Sequence, residues 1–221
     1  VTDLSFTLAA GETLGIVGES GSGKSQTAMA ILRLLARNAA VDGEVLFGGQ
    51  DLLQLSARDM LKVRGQRIGM IFQEPMTALN PVQRIGKQLS ECFLLHTKMS
   101  RKEAWEASIE MLRLVRIPAP EQRIGDYPHQ LSGGMRQRVV IAMALACKPD
   151  LVIADEPTTA LDVTVQAQIL DVIGEQRLDR SKVVQLGLGK PRHLGLEQPF
   201  EAGLAAGAHR RPLRRQVRRR R

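Results

Sequence analysis

Eight consecutive residues, Gly18-Glu19-Ser20-Gly21-Ser22-Gly23-Lys24-Ser25, fit the pattern G-x-x-x-x-G-K-[ST]. A loop of this kind is suited to holding phosphate. Its glycines let the backbone curl closely enough for several N–H groups to face one anion. A lysine placed as Lys24 is reaches the β- and γ-phosphates of a nucleotide, and a hydroxyl placed as Ser25 is ligates Mg2+. The motif needs a strand before it and a helix after it. Leu14-Gly15-Ile16-Val17 predicts a buried strand. Residues 26–35 predict a helix, whose positive end adds to the attraction for anions. The plainer alternative is a glycine-rich turn with a chance lysine. Even as a phosphate loop, the octapeptide says only that a nucleotide is held.

Two further stretches bear on what is done with it. Asp155-Glu156 follow the apolar run Leu151-Val152-Ile153-Ala154 directly. A carboxylate at the C-terminal edge of a buried strand, beside a phosphate loop, is where Mg2+ is held, and Asp155 fits that role. Glu156 lies one residue on and points elsewhere, toward where an attacking water could sit, which suits a general base. A solvated acidic pair at a strand end is the competing reading. The second stretch is Leu131-Ser132-Gly133-Gly134-Met135-Arg136-Gln137-Arg138. A Ser-Gly-Gly helix start is another anion cradle, made of N–H groups and a hydroxyl. One small domain has no evident way to close both cradles on one nucleotide. A head-to-tail dimer, each cradle facing the other subunit's loop, resolves this.

The elements that must position these residues alternate between strand and helix. Leu4, Phe6 and Leu8 alternate with polar residues and predict a strand with one buried face, Phe6 included in the core. Glu44 to Phe47 and Arg67 to Phe72 predict further strands. Ser56-Ala57-Arg58-Asp59 and Ser100-Arg101-Lys102-Glu103 have capping-box spacing and open helices running to about Val63 and Val115. From about Pro81 to Cys147 the periodicity is helical, with Ile85, Leu89, Cys92 and Phe93 on one face. A helix is also predicted over 164–177. Strands alternating with helices mean an α/β fold with a mostly parallel sheet, interrupted by a helical insertion.

Composition narrows the class. A chain of 221 residues has room for one substantial core. The net charge of +8 resembles a nucleic-acid signal, but residues 181–221 alone carry +9, leaving −1 on residues 1–180. The basic character therefore belongs to the tail. Cys92 and Cys147 lack any C-x-x-C spacing and predict free thiols, buried or partly buried. The longest apolar run, Val139 to Cys147, is nine residues, too short to span a bilayer. Any work at a membrane then needs another chain. The first residue is Val1 rather than Met, which suggests a start further upstream.

On these residues the chain resembles the nucleotide-binding subunit of an ATP-binding cassette (ABC) transporter. Residues 131–135 match the family signature, with Met135 where glutamine is usual; 151–156 match the second nucleotide motif. Gln73 matches the glutamine that senses Mg2+ and water, and Ala160-Leu161-Asp162 match the loop that meets the partner subunit. Four motifs in family order make the resemblance specific. It covers about residues 2–178. Ile71-Phe72-Gln73-Glu74-Pro75-Met76-Thr77-Ala78-Leu79-Asn80-Pro81, Tyr127-Pro128-His129-Gln130, and the run from Glu156 to Gln168 are similar to the oligopeptide/dipeptide importer branch, which also includes nickel and glutathione importers.

The resemblance implies a P-loop NTPase core with a mostly parallel sheet, an N-terminal antiparallel β portion and a helical subdomain; the C-terminal tail reads as disordered from its own texture. Its segments would be 1–74 and 148–180 for the core, 75–147 for the helical (signature) subdomain and 181–221 for the tail. It implies ATP and Mg2+ as cofactors. Gly18, Ser20, Gly21, Gly23, Lys24, Ser25 and Gln26 would bind the nucleotide from one chain. Ser132, Gly133, Gly134 and Asp162 would complete the site from the other. Ser25, Gln73 and Asp155 would hold the metal, and Glu156 with Gln73 would serve hydrolysis. Implied partners are a second nucleotide-binding subunit, identical or paralogous, transmembrane permease subunits and, indirectly, a solute-binding protein, at the cytoplasmic face of the inner membrane. The motion would be a two-state closure biased by the γ-phosphate. Two competing readings remain: a soluble ABC-type ATPase acting on nucleic acid or ribosomes through the basic tail, and a fragment without function.

The sequence departs from the family twice. The aromatic residue usual upstream of the first strand, which stacks on adenine, is not included, because the sequence starts too late to reach it. Family members also carry one more apolar strand ending in Thr-His-Asp, whose histidine contacts the γ-phosphate. It is expected about 33 residues beyond Glu156, where Gly189 stands instead. Val183-Val184-Gln185-Leu186 is the strand candidate there, interrupted by Gly187 and Gly189; His193 and His129 are poor substitutes for the switch residue. From about Ser181 the texture is Gly-, Pro- and Arg-rich and reads as a tail. It fits an electrostatic arm, or, the reading favoured here, loss of reading frame in the gene. Translating the other frames past codon 178 is expected to yield an apolar strand closed by Thr-His-Asp; finding none there counts against frame loss.

Overall fold

Four apolar residues in a row end on a carboxylate in Leu151–Asp155, and that strand is buried along its whole length. Burial on both sides is what a continuous apolar run asks for in a parallel sheet. The computed structural model describes residues 1–155 and 182–187, the latter, with residues 75 and 76, as backbone alone. In chain order the described strands are β1 Thr13–Val17, β2 Leu46–Phe47, β3 Gln50–Asp51, β4 Ile68–Ile71, β5 Leu151–Asp155 and β6 Lys182–Gly187. The helices are α1 Lys24–Ile31, α2 Ala57–Val63, α3 Pro75–Ala78, α4 Ile85–His96, α5 Arg101–Leu114, α6 Pro120–Arg123 and α7 Gly133–Leu145. The main sheet has the order β1-β6-β5-β4, every neighbouring pair parallel. Between β4 and β5 all described regular elements are helical.

Strand alternation splits the core over the two faces of this sheet. Leu151 and Ile153 of β5, with Ile68 of β4, pack with Ala28 and Leu32 of α1 and with Met60 and Val63 of α2. Val152 and Ala154, with Ile71, pack with α4, α5 and α7 through Leu89, Leu112, Val139 and Ile141. By the same period of two, Asp155 takes the α1 face. Gly69 faces α7 so closely that a Cβ there would overlap the Ala144 carbonyl oxygen. Arg67 and Asp150 pair at 2.9 Å where β4 and β5 begin.

Both expected helix starts after a serine are present. The Ser100 hydroxyl accepts from Glu103 N–H at 3.3 Å, and Glu103 accepts from Ser100 N–H at 2.7 Å. These bonds hold the Glu103 carboxyl below its ordinary pKa. Ser56 caps α2 by accepting from Asp59 N–H. Ile85, Leu89 and Phe93 are buried on one face of α4, with Cys92 half-buried. Both cysteines are free thiols; burial pushes Cys92 up to about 11 and moves Cys147 in the same direction. Such thiols are poor nucleophiles.

Four expectations are corrected. Residues 4–8 form no strand, and Phe6 is 39% exposed instead of core. Alternation marks one apolar face but supplies no ladder partner, and the antiparallel pairing among the described residues is confined to β2 with β3. β1 forms where predicted but is not buried, its Val17 being 55% exposed; among the described residues it lies at a sheet edge with β6 as its neighbour. α1 stops at Ile31, not residue 35. Arg33 takes a left-handed φ of 52°, Leu34 N–H bonds Met29 O and Arg33 N–H bonds Ala30 O, a Schellman stop. Arg64 then takes the Leu32 and Arg33 carbonyls, each at 2.8 Å. Lastly, β6 lies beyond the boundary at 180/181 drawn from texture. The candidate strand 183–186 pairs on both sides, and a place between two strands outweighs the poor strand propensity of its flanking glycines. The helix predicted over 164–177 lies outside the described residues.

Gly69→Ala tests the closeness of β4 to α7. It is expected to cost about 1–3 kcal/mol through overpacking against a backbone atom, read as a lower urea midpoint with an unchanged slope.

Candidate functional site

Parallel pairing puts the C-terminal ends of β1, β4 and β5 on one edge of the sheet. Asp155 is in register with Leu186, which in turn faces Ile16. The carboxylate therefore starts about 10 Å, two strand spacings, from the end of β1. Each strand end leads into a residue singled out by type. β1 runs into the loop from Gly18, β4 ends two residues before Gln73, and β5 ends on Asp155 itself. An edge where strand ends and a helix start converge is the usual ligand site of an open α/β sheet.

The phosphate loop is shaped by its glycines. Gly21 and Gly23 take φ of 80° and 95°, which a side chain resists. A Cβ on Gly18 would stand 2.7 Å from the Ser22 hydroxyl oxygen. Gly23 is the N-cap of α1 and no side chain caps the helix; no acidic residue occupies its first turn. Its dipole is thus left for an outside anion. Lys24 is buried and its ammonium donates to Gly18 O and Glu19 O, both at 2.9 Å. An ammonium has three donors, so the two loop carbonyls aim the charge without exhausting it. Ser25 and Gln26 are the next two residues of α1, and Ser20 lies in the loop. The backbone acceptors of Gly18 and Glu19 were not foreseen; a carbonyl leaves no residue-type signal.

Asp155 is 5% exposed, and its Oδ1 has no hydrogen-bond partner among the described residues. A buried carboxylate oxygen without a donor costs free energy unless something cationic approaches it. This fits a hard divalent cation, which oxygen donors such as Asp155 and the Ser25 hydroxyl would hold. Gln73 is exposed beyond the end of β4.

The helix start expected at Ser132 is present. Ser132 is the N-cap of α7 and its hydroxyl accepts from Met135 N–H at 3.3 Å. Ser132 and Gly133 are exposed, and a Cβ on Gly133 would meet nothing within 4 Å. The chain's own packing gives no reason for a glycine there. His129 stacks on Tyr127, centroids 5.6 Å apart, in the 3₁₀ turn ahead of α7. Glu156, Asp162 and His193 lie outside the described residues.

Asp155→Asn isolates the charge on the orphaned oxygen. Without added metal, it is expected to leave stability unchanged or to raise it by about 1–3 kcal/mol, measured by urea unfolding; a clear loss shows that the carboxylate is already satisfied within the chain.

Comparisons with known proteins agree with this geometry. The ABC transporter family matches residues 1–159. The probable peptide ABC transporter ATP-binding protein y4tR of Sinorhizobium fredii is 62% identical over 172 residues, 77% of this chain and 51% of that protein. The oligopeptide transport ATP-binding protein OppD of Salmonella typhimurium is 59% identical over 175 residues, 79% of this chain and 52% of that one. The chain spans about half the length of the curated relatives it matches. Among solved structures, a dimeric post-hydrolysis state of the ATP-binding cassette MJ0796 bound to ADP and Pi superposes with a TM-score of 0.73 at 30% identity, covering 82% of this chain and 76% of that one. With the family match running from residue 1 past the end of β5, and a cassette fold to go with it, this chain belongs to the ABC transporter family.

Proposed function

We propose that this chain is the ATP-binding and ATP-hydrolysing subunit of an importer for peptides or similar small solutes. The observation that carries the reading is the pairing, on one sheet edge, of an uncapped helix start with an orphaned buried carboxylate. One suits a polyphosphate and the other its metal. Lys24 and the loop N–H groups bind the phosphates; Ser25, Gln73 and Asp155 hold Mg2+. When bound, that ion neutralises charge on the β- and γ-phosphate oxygens. Glu156 takes the proton from the attacking water, and Gln73 orients that water.

A second nucleotide-binding subunit, identical or paralogous, completes the site. Ser132, Gly133, Gly134 and Asp162 of each chain meet the nucleotide held by the other. The open space at Gly133 supports this, since a glycine that nothing in its own chain requires suits close approach by an outside group. The relative MJ0796 is described as dimeric with ADP and Pi. The relatives described as peptide and oligopeptide transport proteins support the solute class. No described helix is long and apolar enough to cross a membrane, so transmembrane permease subunits would carry the solute, fed by a solute-binding protein. The subunit would then sit peripherally at the cytoplasmic face of the inner membrane. Nothing among these relatives favours action on nucleic acid.

Hydrolysis is the weaker half of the activity. β6 occupies the place between β1 and β5, and Gly189, two residues past its end in sequence, stands where the histidine that holds the attacking water is expected. Binding should survive better than turnover. Lys24→Ala is expected to abolish Mg-ATP binding by calorimetry; Glu156→Gln is expected to keep binding and to lower phosphate release at least a hundredfold. Equal hydrolysis by Glu156→Gln and the parent removes Glu156 as the base.

A further inference from the structure

The segment after Gln73 and the segment before Ser132 are far apart in sequence, yet both are fastened to one turn of helix. On one side stands Gln88, 5% exposed in the first turns of α4. Its Oε1 accepts from Asn80 N–H at 2.8 Å. Its Nε2 donates to Asn80 O at 3.0 Å and to Gln83 O at 2.9 Å. One buried amide thus holds the loop that leads from α3 into α4. Asn80 adds a bond of its own, accepting Val82 N–H at 3.1 Å.

On the other side, α4 begins without a side-chain cap at Arg84. Its orphan donors are satisfied by the chain ahead of α7: Ile85 N–H bonds Asp126 O at 2.9 Å and Gly86 N–H bonds Ile124 O at 2.8 Å. Gly86 permits this approach, since a Cβ there would stand 2.5 Å from both Ile124 and Trp105. The Arg84 guanidinium lies 5.5 Å from the centre of the Tyr127 ring, which stacks on His129. Tyr127 N–H bonds Gln130 Oε1 at 2.7 Å, closing the 3₁₀ turn that ends two residues before Ser132.

We infer that the first turn of α4, acting through Arg84 and Gln88, is the positioning element that sets where Ser132 and the start of α7 stand relative to the Gln73 segment. Arg84 and Gln88 touch neither phosphate nor metal. They act by holding two loops to one rigid helix, one leading from the residue assigned to sense Mg2+ and the other to the cradle offered to the partner's nucleotide. Such a joint is a contiguous mechanical link of hydrogen bonds and packed rings. The inference rests on the nucleotide reading proposed above for its consequence, but not for its geometry.

The test uses the full chain with Arg84→Ala, Arg84→Lys and Gln88→Glu. Glutamate keeps the acceptor for Asn80 N–H and loses both donors; lysine keeps a cation for the Tyr127 ring. The first readout is amide hydrogen exchange at Met135, whose N–H is held by the Ser132 hydroxyl. Arg84→Ala and Gln88→Glu are expected to speed it at least fivefold, with β5 amides unchanged and Arg84→Lys close to the parent. The second readout is Mg-ATP-driven association in a Glu156→Gln background. There both disruptive variants should need several-fold more ATP, while binding of a fluorescent ATP analogue to the separate chain stays unchanged. Unchanged exchange at Met135 in both variants overturns the inference, whatever association does. Absence of association in the Glu156→Gln parent itself sinks the paired-subunit reading instead, and the exchange data still decide the role of Arg84 and Gln88.

Discussion

A strand buried on both faces that ends in a charge is the constraint on which the rest of this structure depends. Leu151 to Ala154 are covered by two separate apolar clusters, one containing α1 and the other α7. Both clusters use the same strand, so neither can shift without disturbing the other. Asp155 is then the point at which the apolar run meets polar chemistry, and its Oδ1 is left without a partner among the described residues. The cost of that arrangement makes sense where a cation recovers it.

Much of the site was legible because its chemistry is local. The phosphate loop is eight consecutive residues, and backbone curvature, helix dipole and lysine all arise within that span. The Ser132 and Ser100 starts are legible for the same reason: a cap needs only the donor three residues on. β5 could be read from its unbroken apolar character. What could not be read depended on partners distant in sequence. Leu4, Phe6 and Leu8 alternate, but alternation does not say whether a neighbouring strand exists to pair with. α1 had helical pattern beyond Ile31; it was Arg64, from the end of α2, that took the carbonyls there. β6 was undervalued on its glycines because its pairing with both β1 and β5 lay outside any local window. Arg84 and Gln88 gave no signal, since what they hold is the backbone and a ring of distant loops.

The two anion cradles differ in a way that bears on the order of events. At α7 the Ser132 hydroxyl already satisfies one first-turn donor, a cap worth about 1 kcal/mol. At α1 no side chain does so, and a buried ammonium is aimed into the same loop. An anion reaching α1 therefore gains uncompensated N–H groups, a helix dipole and a full charge together. One reaching α7 gains the dipole, worth about 0.3–1 kcal/mol at an exposed terminus, and must share donors with a hydroxyl. On the paired-subunit proposal, nucleotide would settle first on the α1 loop of one chain, and α7 of the other would close on a triphosphate already in place. On this ordering the α7 cradle contributes little to affinity in a separate chain. Under that proposal its worth would appear when the γ-phosphate and the second subunit's helix meet, which is the condition for a contact that reports on the nucleotide instead of merely storing it.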